Sequence, residues 1–74
     1  MTKLFEIVHN GGLYRAVISE HPLYRGQFNL NVHYINDRGF PCPEFDKDCM
    51  SEKSALTKLK KYFKGETVEW KQIG

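Results

Sequence analysis

No apolar run in this chain approaches the roughly 20 residues that a membrane-spanning helix needs. Its first stretch, MTKLFEIVH, goes straight into alternation and lacks a signal-peptide core. The expectation is a cytoplasmic protein with no membrane partner. Cysteine is scarce. Cys42 and Cys49 are too far apart for a zinc knuckle, and no second ligand pair follows them. They are expected to be ordinary thiols, although their separation also permits a loop-closing disulfide in an oxidising compartment. Charge of one sign is scarce too: the net charge of +2 is too small to imply nucleic acid by itself. Repeats, low-complexity stretches and linkers are missing, and 74 residues suit one compact domain spanning 1–74.

Chemistry-bearing motifs are equally thin. His9, His21 and His33 recur every 12 residues. They fall beside a turn, in a loop and on a strand, so equal spacing has no geometric meaning and no metal site is expected. Glu44, Asp46 and Asp48 alternate without the glycine and distal glutamate of a calcium loop, and read as a solvated acidic loop leading to a helix. No nucleophile–base pair or phosphate loop can be read. The expectation is a non-enzymatic protein with no catalytic residue and no cofactor.

What is present is a hairpin. In KLFEIVHNGGLYRAVI, Asn10-Gly11 is a two-residue turn of the type that requires positive φ at both positions. The resulting register sets Phe5 opposite Ala16, Glu6 opposite Arg15 and Ile7 opposite Tyr14. One face then carries Phe5, Ile7, Tyr14, Ala16 and Ile18. The other carries Leu4, Val8, Leu13 and Val17 around the Glu6–Arg15 pair. The strands are expected over Lys3–His9 and Leu13–Ser19.

A loop follows at 20–27, where Pro22 removes a donor. Phe28, Leu30, Val32 and Tyr34 alternate with Asn29, Asn31 and His33, the pattern of a half-buried third strand. Asn36–Gly39 reads as a turn with Gly39 left-handed. Phe40–Phe45 is a short edge strand at most, because of Pro41 and Pro43. Ser51 is the N-cap of a helix whose Leu56, Leu59 and Phe63 form the buried stripe, with Gly65 expected just past its end. Thr67–Ile73 reads as a last strand. If it lies beside strand 1, Trp70 caps one end of the core.

The expected fold class is α+β: a small antiparallel sheet of three to four strands, in the order β-β-β-α-β, with one amphipathic helix packed on one face. One helix covers one face of a sheet. The second apolar strip must therefore meet another strand, another subunit or a partner.

Two surfaces are candidates for function. The first is the apolar back face of Leu4, Val8, Leu13 and Val17, bordered by Asn31 and His33, whose composition suits a protein interface. The second is a helix stripe of Lys53, Lys60 and Lys64 with Lys61 beside it. It could track phosphates, with Tyr14, Tyr24 or Trp70 stacking on bases, or simply be the helix's solvated face. Gly12-Leu13-Tyr14-Arg15 and Phe45-Asp46, ahead of Ser54-Ala55-Leu56, are similar to strand and helix-entry positions of the sheet-reading DNA-binding domains of the integrase type. That family's base-reading strands are rich in arginine and tryptophan, whereas these offer Arg15 and Arg25 and no tryptophan. The likeness is one of shape, and shape does not carry function. The favoured expectation is a protein-interaction module, an accessory regulator or phage-type inhibitor that binds a larger protein or pairs with itself as a homodimer. The alternative is nucleic-acid binding.

Overall fold

The computed structural model describes residues 2–74. Its strands are β1 (Thr2–His9), β2 (Gly12–Glu20), β3 (Phe28–Ile35), β4 (Pro41–Cys49) and β5 (Lys71–Gln72), with one helix, α1 (Glu52–Lys60), between β4 and β5. They form a single antiparallel sheet of five strands in the order β4-β3-β2-β1-β5. The expected three to four strands thus become five, and the domain is mostly sheet.

Local chemistry sets the first hairpin. Asn10 at φ 49° and Gly11 at φ 79° supply the two positive angles of the tight turn. The register is the expected one, with Phe5 opposite Ala16, Glu6 opposite Arg15 and Ile7 opposite Tyr14. The β3–β4 turn is closed by Gly39 N–H donating to the Asn36 carbonyl at 2.9 Å, with Gly39 left-handed at φ 80°. The Asn36 side-chain oxygen also accepts the Arg38 and Phe40 amides, at 2.9 and 3.0 Å.

Strand β4 differs from expectation. It runs to Cys49 rather than stopping at Phe45, so Glu44, Asp46 and Asp48 lie on an edge strand and not in a loop. Glu44 sits at a bulge, since Val32 pairs with Phe45 and His33 with Pro43. The acidic segment pairs along β3 from Val32 to Phe28, and the Asn29 amide adds hydrogen bonds to both Asp46 and Asp48, at 2.7 and 3.0 Å.

The core lies between α1 and one face of the sheet. Phe5, Ala16, Ile18, Leu30 and Val32 meet Cys49, Ala55 and Leu59, with Phe28, Phe45, Leu56, Tyr62 and Trp70 packed around them. The Ser51 hydroxyl caps the helix by accepting the Ser54 amide at 3.1 Å, and Lys3 pairs with Glu52 at 2.8 Å. The helix ends a turn before Gly65, with Lys61 as its C-cap. Its last carbonyls are taken by the returning chain: Leu59 C=O accepts the Trp70 indole N–H at 2.8 Å, and Lys60 C=O accepts the Val68 amide at 3.0 Å. Gly65, at φ 82°, instead belongs to a separate turn in which Glu66 N–H donates to the Phe63 carbonyl.

The last strand is shorter than the Thr67–Ile73 expected. Lys71 and Gln72 pair with Glu6 and Phe5, and the ladder continues through Ile73 N–H to Leu4 C=O and Leu4 N–H to Gly74 C=O. The position beside strand 1 leaves Trp70 half-buried against the core, where the indole serves as both filler and cap.

Candidate interaction surface

The side of the sheet opposite the helix carries three rows that cross β1, β2 and β3. In the first, Leu4 lies opposite Val17 and Val17 opposite Asn31. In the second, Glu6 faces Arg15 and Arg15 faces His33. In the third, Val8 faces Leu13 and Leu13 faces Ile35. Two apolar rows therefore flank a charged one. Arg15 Nε donates to Glu6 Oε2 at 3.0 Å across the centre.

All six residues singled out for this face (Leu4, Val8, Leu13, Val17, Asn31 and His33) share it. Leu4 is 40 % exposed and Val8 68 %, while the other four are half-buried. Among the described residues no element covers this face. Pro41 extends the Val8–Leu13–Ile35 row, Ile73 borders Leu4 in the first row, and Pro43 lies beside His33 in the charged row. Ile35 follows from the β3 alternation, whereas Pro41, Pro43 and Ile73 were not singled out from the sequence, because their membership depends on cross-strand registers that no short stretch encodes.

The rim beside β4 is polar and internally satisfied. Asn31 donates to the Asn29 side-chain oxygen, and Asn29 bridges Asp46 and Asp48. Asp48 in turn lies 3.3 Å from His21 Nε2. His21 Nδ1 accepts the Leu23 and Tyr24 amides, so the ring proton sits on Nε2 and points at Asp48.

The lysines are arranged differently from expectation. Lys53 and Lys60 are on α1, but Lys61 is the C-cap and Lys64 lies beyond the helix end. The helical stripe through Lys53, Lys60 and Lys64 is therefore broken. Instead Lys58, Lys61 and Lys64 surround a shallow concavity of about 710 Å³ floored by Phe45, Tyr62 and Phe63. Of the three proposed stacking residues, Tyr14 and Trp70 pack against Phe63, with ring centroids at 5.0 and 6.0 Å, and Tyr24 is exposed. Arg25 belongs to the loop between β2 and β3 and to no strand.

Tyr62 donates its hydroxyl proton to Glu44 Oε1 at 2.7 Å. Partial burial, and then the adjacent carboxylate, push the Tyr62 phenol well above its ordinary value. Tyr14 is raised in the same sense, chiefly by desolvation, with Glu44 and Tyr34 adding to it.

The histidines and cysteines are dispersed. His9 stacks on Phe63 at 3.7 Å and meets Glu66 at 2.7 Å on the helix side, His21 is in the loop after β2, and His33 is on the open face. Both cysteines are free and lie on one strand, Cys49 buried and Cys42 half-buried. Their positions along an extended strand put them on the order of 20 Å apart, which rules out the intrachain disulfide that their spacing allowed.

No protein-family model, no curated protein and no solved structure matches this chain. No helix among the described residues is long and apolar enough to cross a membrane.

Proposed function

We propose that this protein is a non-enzymatic interaction module that occupies a surface on another protein through the open face of its sheet. The observation that carries the reading is the asymmetry of cover. Helix α1 and the chain that follows it pack on one side, while the Leu4–Val17 and Val8–Leu13 rows on the other side remain accessible. Exposed apolar rows bordered by polar groups are the usual composition of a protein contact. The reading places the protein in the cytoplasm as an accessory regulator or a phage-type inhibitor.

The test is capture from a lysate of the native host, nuclease-treated, on immobilised wild type and on Val17→Asp. A stoichiometric protein held by the wild type and released by the variant, with unchanged circular dichroism, is the expected result. Loss of fold in Val17→Asp would mean that this face is core.

A second reading, nucleic-acid binding, is favoured by one feature: the three lysines around the aromatic floor of the helix-side concavity. It predicts capture that nuclease abolishes, affinity that falls steeply with salt, and at least tenfold weaker binding in the Lys61→Glu, Lys64→Glu double variant.

A further inference from the structure

We propose that the open face accepts a second copy of the same chain, giving a two-fold dimer with the two sheets face to face. The inference rests on the interaction reading above and names its partner. Charge and symmetry point to this partner. On this face β1 presents Leu4, Glu6 and Val8, and β2 presents Val17, Arg15 and Leu13 in matching rows. The two strands are thus identical in pattern and opposite in charge.

A two-fold axis parallel to the strands, midway between β1 and β2, lays the β2 of one copy over the β1 of the other. Arg15 then sits over Glu6 twice, Val17 over Leu4 and Leu13 over Val8. Such an isologous contact needs a self-complementary patch, and this pattern supplies one. The alternative in-plane axis, running along the charged row, stacks Glu6 on Glu6 and Arg15 on Arg15 and is repelled. Charge therefore selects one axis.

Lys71, next to Glu6 on β5, falls over the position of His33 on β3, which adds no complementary charge pair. Asp46 and Asp48 on β4, the sheet edge opposite β5, fall outside the overlap, so two acidic clusters are not forced together. Arg15 and Glu6 retain side-chain exposures of 52 % and 31 %, and each has room to share its charge with a second partner.

Size sets the strength. Four overlapping strands at about 4.8 Å spacing give a footprint of a few hundred Å². That is below the roughly 800 Å² per partner of a stable complex. A monomer–dimer equilibrium in the range of about 10–100 µM is expected.

Sedimentation equilibrium from 10 µM to 1 mM tests the proposal, using wild type, Glu6→Arg and Arg15→Glu. The wild type is expected to rise from 8.7 kDa towards twice that mass. Each single variant stacks like charges and is expected to remain monomeric. Mixed in equal amounts, the two variants present only opposite charges to each other and are expected to form a heterodimer. A wild type monomeric at 1 mM, single variants that dimerise like wild type, or a mixture that stays monomeric would each overturn it.

Circular dichroism checks that both variants are folded. If either is not, Glu6→Lys and Arg15→Asp make the same comparison. A monomeric wild type that still retains a host protein through Val17 removes the second copy as occupant and leaves the interaction reading standing. A dimer together with host capture insensitive to Val17→Asp removes the larger partner instead.

Discussion

Tyr62 shows how single side chains here serve two neighbours at once. Its ring packs edge-on against Phe45 and Phe63, while its hydroxyl reaches Glu44 at the β4 bulge. The folded state holds the phenolic proton more tightly than the unfolded chain, whose tyrosines titrate near 10. A pKa raised on folding contributes stability that is fully present below the unfolded value and is lost as pH rises above it. Denaturant unfolding of the wild type is therefore expected to be level from pH 7 to 9 and to weaken above pH 10. Tyr62→Phe should flatten that alkaline loss and cost about 1 kcal/mol at pH 7, from the missing hydrogen bond. An alkaline limb equally steep in the variant would assign the effect to other groups.

At the scale of elements, the end of α1 is decided by the chain that returns to it. Composition alone would carry a helix through Tyr62 and Phe63 to Gly65, because the apolar period continues to Phe63. In the folded protein the Leu59 and Lys60 carbonyls have tertiary donors, and Phe63 turns away to stack on His9. Removing the indole donor with Trp70→Phe takes away one of the two donors to the Leu59 carbonyl and leaves it the Tyr62 amide at 3.1 Å. The expected cost is about 1 kcal/mol. Hydrogen exchange should show it as faster opening of the last helical turn, with protection of β2 and β3 changed only by the global loss. Uniform loss across the helix would mean that the indole is filler alone. The start of the helix needs no such help, since the Ser51 cap is a local bond to the Ser54 amide.

For the molecule as a whole, the two faces of the sheet obey different rules. Leu59 is 2 % exposed and Val8 68 %, although both are aliphatic. Leu59→Ala should cost about 2–5 kcal/mol through the cavity it leaves beneath β2 and β3. Val8→Thr should change monomer stability by less than about 0.5 kcal/mol. Chemical denaturation measures both, and a large loss for Val8→Thr would mean that the open face is structurally required.

The candidate surface was legible in the first hairpin. Asn10-Gly11 sets a turn, the turn sets a register, and the register sorts Leu4, Val8, Leu13 and Val17 away from Phe5, Ala16 and Ile18. Asn31 and His33 joined the same face through the plain alternation of β3. Turn, alternation and cap are interactions between residues close along the chain, so the sequence by itself determined them. What it left open depends on donors and acceptors far apart in the chain: the length of β4, the end of α1, the brevity of β5 and the reach of the open face to Pro41 and Ile73. Pairing with β3, reinforced by the Asn29 amide, carries β4 past its prolines, and Trp70 and Val68 take carbonyls at the helix end. Those partners exist only once the sheet has assembled, because a hydrogen bond across the fold requires its two ends to have been brought together first. Tertiary structure alone decided how far each element runs and which distant residues border the two faces that the hairpin register had already separated.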